Sequence, residues 1–296
     1  MNAEPDRNPV AILGAGTMGA GIAQACLAAG HPVRLHDASE EATGRAEARI
    51  GTGLRRAAEK GRLGDRDPAK ALAALRTSAG AGEAPLHDAV AEASVVIEAV
   101  PEDPGLKREV WTAIGAGARD GALLCSNTSS LSITELGEAG GRPGATCGLH
   151  FFNPVPVLPL VEVVRGERTH DATLDRAESF AVGLGKTPVR CLDRPGFLVN
   201  RLLIPYLNEA ALLADEGTAE PEAIDRAMTL GANLPLGPLA LADLVGLDVV
   251  LQVMETLHRE FGDPRYRPAP VLRRMVRAGR LGRKSGEGFF SYGGDA

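Results

Sequence analysis

Val10-Ala11-Ile12-Leu13-Gly14-Ala15-Gly16-Thr17-Met18-Gly19-Ala20-Gly21-Ile22-Ala23 is the stretch on which the rest of the chain is organised. Four apolar residues that suit a buried parallel strand run into Gly-x-Gly-x-x-Gly, and small helix-forming residues follow. This is the pattern of a phosphate turn. Gly14 takes the tight bend, Gly16 lets backbone approach a pyrophosphate, and Gly19 lets the next helix pack closely with its N-terminal N–H groups aimed at the anion. Thr17 and Met18 lie inside the same turn. A glycine triplet is weak evidence in a chain with 36 glycines. The next apolar segment, Pro32-Val33-Arg34-Leu35-His36-Asp37, strengthens it by ending on an acid about 20 residues on, where ribose hydroxyls are expected. Asp37 favours NAD over NADP, because a 2′-phosphate would meet its negative charge, and Arg34 lies upstream of the acid.

Working outward, 296 residues are long for one core, so a large domain with a smaller companion is expected. A net charge of -6 without a polybasic segment argues against nucleic acid as a partner. Cys26, Cys125, Cys147 and Cys191 are scattered, with no Cys-x-x-Cys, which suits reduced thiols and no metal site. Residues 1–8 are polar and are read as a flexible N-terminus. No run approaches the roughly 18 apolar residues of a membrane helix. A cytoplasmic protein without membrane attachment is expected.

Downstream, strands and helices alternate. Ser39 caps a helix expected to run to about Leu63, ended by Gly64-Asp65. Its later half carries Arg55, Arg56, Lys60 and Arg62, a pattern that fits a solvated face or a contact to the phosphates of a large anionic substrate. A short linker leading to Ala71–Leu75, a helix near Leu86–Glu92, a strand over Ser94–Val100, a helix over Lys107–Ala118 and a strand over Ala122–Cys125 follow. Strands over Thr146–Phe152 and Leu160–Val164, a helix over Thr173–Leu184 and a strand over Thr187–Cys191 come next. The fold class is therefore α/β, with a Rossmann-type doubly wound sheet. From Pro195 only helices are expected, over Phe197–Asp215, Glu220–Leu230, Ala240–Phe261 and Pro270–Ala278. The domains are accordingly 9–193, binding NAD, and 194–296, an all-helical C-terminal domain.

His150 sits in an apolar strand beside Phe151 and Phe152, where a core histidine and a catalytic base are comparable readings. The other histidines fall in turns, strand ends or helix surfaces. Glu162 lies in the apolar run Val161–Val164, and a buried acid is costly unless paired. An antiparallel hairpin closed through Asn153–Pro159 brings Glu162 beside His150. A carboxylate on one imidazole nitrogen fixes the tautomer and stabilises the imidazolium formed at the other; a structural ion pair is the plainer alternative. Ser129 and Asn200 are polar candidates, but Ser129 serves equally well as a turn former and Asn200 as a residue bonding its own helix. Glu98, inside a strand, is compatible with burial by pairing and is left outside the site.

These residues carry a resemblance. Gly14–Gly19, Ser126-Asn127-Thr128-Ser129-Ser130-Leu131, Gly148-Leu149-His150-Phe151-Phe152-Asn153-Pro154, Pro195-Gly196-Phe197-Leu198-Val199-Asn200-Arg201-Leu202 and Gly282-Arg283-Lys284-Ser285-Gly286-Glu287-Gly288-Phe289 occur in order. Nearly the whole chain, Val10 to Tyr292, resembles the L-3-hydroxyacyl-CoA dehydrogenase family, of the 3-hydroxybutyryl-CoA dehydrogenase type. The resemblance implies reversible, NAD-linked oxidation of a (3S)-3-hydroxyacyl-CoA to the 3-ketoacyl-CoA. It makes His150 the acid or base, Glu162 its orienting carboxylate, and Ser129 and Asn200 the groups on the substrate's C3 oxygen. Glu102, Lys107 and Asn127 then lie along the cofactor, Lys60 meets the CoA phosphates, and the C-terminal domain forms a homodimer. Two positions depart from the family pattern. Asp103-Pro104-Gly105-Leu106 replaces the usual Asn-Leu start of a helix, and Ala240 stands where many relatives carry Glu.

The alternative substrate is a polar or acyl-carrier-protein-bound hydroxyacyl thioester. A dehydrogenase of free hydroxy acids is disfavoured by Asn127-Thr128-Ser129. A cofactor-binding protein without turnover is disfavoured by the presence of all four of His150, Glu162, Ser129 and Asn200.

Overall fold

The computed structural model describes residues 9–293, so the expectation for residues 1–8 lies outside them. The chain divides between Arg194 and Pro195 into two compact units.

The first unit follows β1 (Val10–Leu13), α1 (Thr17–Ala29), β2 (Val33–Asp37), α2 (Glu40–Glu59), α3 (Pro68–Ala73), β3 (Leu75–Ala79), α4 (Glu83–Val90) and β4 (Val95–Glu98). It continues with α5 (Pro104–Gly117), β5 (Leu123–Ser126), α6 (Ile133–Ala139), β6 (Thr146–Phe151), β7 (Leu160–Arg165), α7 (Asp171–Gly183) and β8 (Thr187–Leu192). All eight strands form one sheet in the order β3-β2-β1-β4-β5-β6-β7-β8. β1 to β6 run parallel, β7 returns antiparallel on β6, and β8 runs parallel to β7. The strand order reverses between β1 and β4, and ligands of such sheets bind beyond the carboxyl ends of the strands at that reversal.

Alternation along β1 explains the two layers. Val10 and Ile12 pack with Ile22, Leu27, Ile50, Leu54 and Leu174 on one face. Ala11 and Leu13 pack with Val90, Val110, Trp111, Ile114 and Leu136 on the other. Successive strand residues point to opposite faces, so a strand buried on both sides reads as a continuous apolar run.

Several boundaries differ from the sequence expectations. α2 ends at Glu59 rather than near Leu63, because the Gly61 N–H reaches Ala58 O and the Arg62 N–H reaches Ala57 O, closing the helix end. Leu63 then folds back into the core. The end of the expected linker and the start of Ala71–Leu75 form α3, capped by Asp67. β3 is an edge strand whose only buried residue is Leu75, so it carries little apolar signal. α5 starts at Pro104, not Lys107. Asp103 accepts the Leu106 N–H at 2.8 Å, and Pro104 sits in the first turn. The departure Asp103-Pro104-Gly105 is thus a well-capped helix start.

The second unit contains α8 (Val199–Asp215), α9 (Pro221–Gly231), α10 (Pro238–Val245), α11 (Leu247–Phe261) and α12 (Pro270–Arg277). The single helix expected over Ala240–Phe261 is two helices, broken where Gly246 takes φ 102°. Ile204, Leu207, Leu239, Val250, Met254 and Leu272 form its core. Buried Asp243 accepts the Phe289 and Phe290 N–H groups at 2.9 and 3.0 Å and the Tyr292 hydroxyl at 3.0 Å, pinning the C-terminal segment.

Candidate active site

The turn after β1 is built from space. Gly14 has φ 103°, and a Cβ there would lie 2.5 Å from Ala99 O. A Cβ on Gly19 would lie 1.8 Å from Gly14 O, whereas one on Gly16 would meet nothing within 4 Å. Gly14 and Gly19 therefore hold strand and helix together, and Gly16 leaves an open face at the start of α1. That helix has Gly16 as its N-cap and no acidic residue in its first turn, which suits an anion. Gly16 and Thr17 are exposed, and Met18 is half-buried against the core. The Thr17 hydroxyl accepts from Arg49 Nη1 at 3.2 Å.

Asp37 closes the turn from β2. Its Oδ2 accepts the Ala15 N–H at 2.8 Å and its Oδ1 the Ser39 N–H at 2.9 Å. Arg34 is engaged elsewhere, with Glu92 and with Asp88 O. Open backbone at Gly16 and a carboxylate fixed beside it fit NAD. The neighbouring His36, read from sequence as a strand-end residue, is 4 % exposed, with Nδ1 3.0 Å from Ser78 Oγ. Burial lowers its pKa against the opposing charge of Asp37.

A second cluster lies at the ends of β4 to β7. The β6–β7 pairing sets His150 opposite Glu162, as the hairpin reading expects. His150 Nδ1 is 2.6 Å from Glu162 Oε2, and Glu162 is fully buried. Because the carboxylate only accepts, Nδ1 carries the proton, and Nε2 of the neutral ring accepts from the Ser129 hydroxyl at 3.1 Å. The ring packs at 4.6 Å between centroids on Phe152.

The Ser129 segment is held from below. Asn127 is buried and its Oδ1 accepts the Phe151 N–H at 2.9 Å, tying the segment to the histidine strand. Glu102 accepts the Ser129 and Ser130 N–H groups at 3.0 Å each, and also the Thr128 hydroxyl. Burial pushes its pKa up, but the Lys107 ammonium and the bonds from Thr128, Lys107 and Ser130 outweigh this and leave it lowered. Lys107 is 1 % exposed, with Nζ 2.6 Å from Glu98 and 3.2 Å from Glu102. Sequence reading set Glu98 aside. Burial by pairing is legible there, as for Glu162; the partner, Lys107 nine residues on, is not.

Lys60 ends α2 and lines a cleft of about 550 Å³ together with Arg56, Arg62, Arg66 and Lys186. A second hollow of about 480 Å³ shares Gln24, Gly53, Arg56, Pro154 and Pro156 with it and reaches Thr17. Lys186 Nζ donates to the carbonyls of Val155 and Leu158, so the hairpin loop meets this basic surface. Asn200 belongs to the second unit, half-buried in the first turn of α8. Among the described residues no helix is long and apolar enough to cross a membrane.

The family model of the 3-hydroxyacyl-CoA dehydrogenase NAD binding domain matches residues 9–194, and that of the C-terminal domain matches residues 196–292. A probable 3-hydroxybutyryl-CoA dehydrogenase of Deinococcus radiodurans is 47% identical over 281 residues, 95% of this chain and 99% of that protein. The crystal structure of (S)-3-hydroxybutyryl-CoA dehydrogenase PaaH1 from Ralstonia eutropha has a TM-score of 0.90 at 45% identity, covering 98% of this chain and 100% of that one. Mycobacterium tuberculosis FadB2 superposes with a TM-score of 0.91 at 43% identity, covering 97% of this chain and all of that one. With its cradle fitted to NAD, the chain belongs to the 3-hydroxyacyl-CoA dehydrogenase family and is an NAD-dependent dehydrogenase.

Proposed function

We propose that this enzyme interconverts short-chain (3S)-3-hydroxyacyl-CoA, such as 3-hydroxybutyryl-CoA, with the 3-ketoacyl-CoA. The observation that carries the reading is the chain Ser129–His150–Glu162, with spacings of 3.1 and 2.6 Å. NAD held in the turn after β1 would supply the hydride acceptor for C3 in oxidation, and NADH the hydride donor in reduction. His150 Nε2 takes the C3 hydroxyl proton in oxidation, while Glu162 stabilises the imidazolium that results. In reduction His150 donates that proton back. Ser129 Oγ donates to the C3 oxygen as charge develops, a contribution that reaches about 3 kcal/mol for a well-placed donor. Asn200 is assigned the second donor by the family resemblance. Asp37 is assigned the adenosine ribose and Gly14, Gly16, Thr17, Met18 and Gly19 the pyrophosphate turn. Glu102, Lys107 and Asn127 support the nicotinamide side.

The cluster of Arg56, Lys60, Arg62, Arg66 and Lys186 supports a phosphorylated handle on the substrate, and we assign it to the CoA nucleotide. A carrier-protein-bound thioester offers one phosphodiester in place of that nucleotide. The helical unit, with Leu202 and Leu230 about three-quarters exposed and Leu244 half-exposed, supports a homodimer through that unit. A cytoplasmic location completes the proposal.

The test follows NADH absorbance with acetoacetyl-CoA and acetoacetyl carrier protein side by side, for wild type and His150→Ala. The expected outcome is rapid NADH oxidation with the CoA ester alone, a loss of at least about 10³-fold in kcat for His150→Ala, and unchanged NADH affinity. NADH binding without turnover of the CoA ester overturns the substrate assignment. Retained kcat in the variant overturns the role of His150.

A further inference from the structure

Glu98 closes β4 with 0 % exposure, and four donors converge on its carboxylate. Oε1 accepts from Lys107 Nζ at 2.6 Å and the Val100 N–H at 2.9 Å. Oε2 accepts from Ser126 Oγ at 2.7 Å and Trp111 Nε1 at 3.2 Å. A carboxylate buried this completely is tolerated only when paired and fully hydrogen-bonded. What matters for function is where these bonds lead.

Ser126 is the last residue of β5, in register with Glu98 on β4, and its hydroxyl oxygen accepts the Thr128 N–H at 3.1 Å. The Glu98 carbonyl accepts the Asn127 N–H at 2.8 Å. Glu98 thus grips the root of the Ser126–Ser130 segment. Glu102 grips its tip through the Ser129 and Ser130 N–H groups. Lys107 Nζ lies between the two carboxylates, 2.6 and 3.2 Å from them. One ammonium therefore fixes both ends of the segment that carries Ser129. A buried ion pair serving packing alone needs only one carboxylate and no bond into the loop.

We infer that Glu98 is a positioning residue which, through Ser126 and Lys107, sets Ser129 Oγ at hydrogen-bond distance from His150 Nε2. This rests on the reading of Ser129 and His150 as the groups on the reacting oxygen. It gives a charge far from the substrate oxygen a defined kinetic task, because a displacement of about 1 Å at a reacting group can cost roughly 100-fold in rate.

A double-mutant cycle tests it. Ser126→Ala removes the bond from the Glu98 carboxylate to the loop while leaving the ion pair, and Glu98→Gln weakens both. Each is made alone and with Ser129→Ala. For each protein, kcat and KM with acetoacetyl-CoA, the NADH dissociation constant and the melting temperature are measured. Ser126→Ala is expected to lower kcat by about 5- to 10-fold with NADH affinity unchanged, and Glu98→Gln to lower kcat by more. In the Ser129→Ala background both losses should shrink to within about twofold, because the group they position is gone. Equal losses in the two backgrounds overturn the inference, as does a wild-type kcat in Ser126→Ala. Should Glu98→Gln fail to fold, the Ser126→Ala cycle decides alone. A wild-type kcat in Ser129→Ala itself overturns the role of Ser129, and the inference falls with it.

Discussion

The two ends of the same sheet edge build their sites in opposite ways. At the end of β1 the cradle is made of missing side chains: Gly19 where any Cβ would strike Gly14 O, and Gly16 where a Cβ would stand in open space. The carboxylate there, Asp37, is held by two backbone N–H groups. At the ends of β4 to β7 the site is made of buried charge, with Glu162 on His150, and Glu98, Lys107 and Glu102 under the Ser129 segment. The first region should therefore respond to added volume, while the second should respond to lost charge and tolerate little change in it. A single fold supports both because the central strands β1, β4 and β5 are buried on both faces, and the polar groups of β4 and β5 stand at their carboxyl ends.

The largest effect expected from this contrast falls within the cradle. Gly19→Ala puts a Cβ 1.8 Å from a backbone oxygen, and α1 has to move off the strand. A loss of about 3 kcal/mol, the upper end of ordinary overpacking costs, is expected in urea unfolding. Gly16→Ala adds the same methyl to open space, so its unfolding curve should match wild type, while its NADH dissociation constant rises about tenfold as the methyl crowds the pyrophosphate. Equal stability of the two variants breaks the steric account of the cradle.

On the charged side, Glu162→Gln keeps the volume and one acceptor atom but removes the charge opposite the imidazolium. A fall in kcat of about 100-fold, or about 2.7 kcal/mol, is expected. NADH affinity should not change, because the cradle does not use this carboxylate. Steady-state kinetics with acetoacetyl-CoA and NADH titration measure both. A kcat within about threefold of wild type means that His150 needs only a hydrogen-bond acceptor there.

The regions also differ in how far they can be read from the chain. The cradle is local: its strand, turn and acid fall within 28 residues, from Val10 to Asp37, and each residue type has one mechanical reason to be there. The His150–Glu162 pair is legible for a related reason, since an acid inside Val161–Val164 demands a partner and the Asn153–Pro159 turn supplies one across a hairpin. Glu98 shows the limit. Its partner Ser126 stands beside it only because β4 pairs with β5, and its partner Lys107 arrives because Asp103 starts α5 a turn earlier than periodicity suggests. Lys186 joins Lys60 across 126 residues, which no local pattern encodes. β3, Leu75–Ala79, was hidden for a simpler reason: it is exposed at the sheet edge beyond its first residue, so apolar alternation is absent.

The smallest effect concerns acid stability and separates the two regions by charge alone. Burial raises the pKa of Glu102, yet the Lys107 ammonium and the hydrogen bonds from Thr128, Lys107 and Ser130 overcome it, so the folded-state value lies below the ordinary 4.5. A carboxyl with a lowered folded-state pKa stabilises the protein in full above its unfolded value, and that contribution disappears as pH falls through the folded one, where the unfolded chain binds the extra proton first. Wild type should therefore lose melting temperature faster than Glu102→Gln as pH is lowered through the carboxylate range. The variant starts less stable at neutral pH, and the two curves converge in acid. Gly16→Ala, which alters no charge, should run parallel to wild type throughout. A Glu102→Gln curve that also runs parallel would mean that the Ser129 segment is held by packing and its neutral hydrogen bonds, and that the electrostatic half of the comparison stops at Glu162.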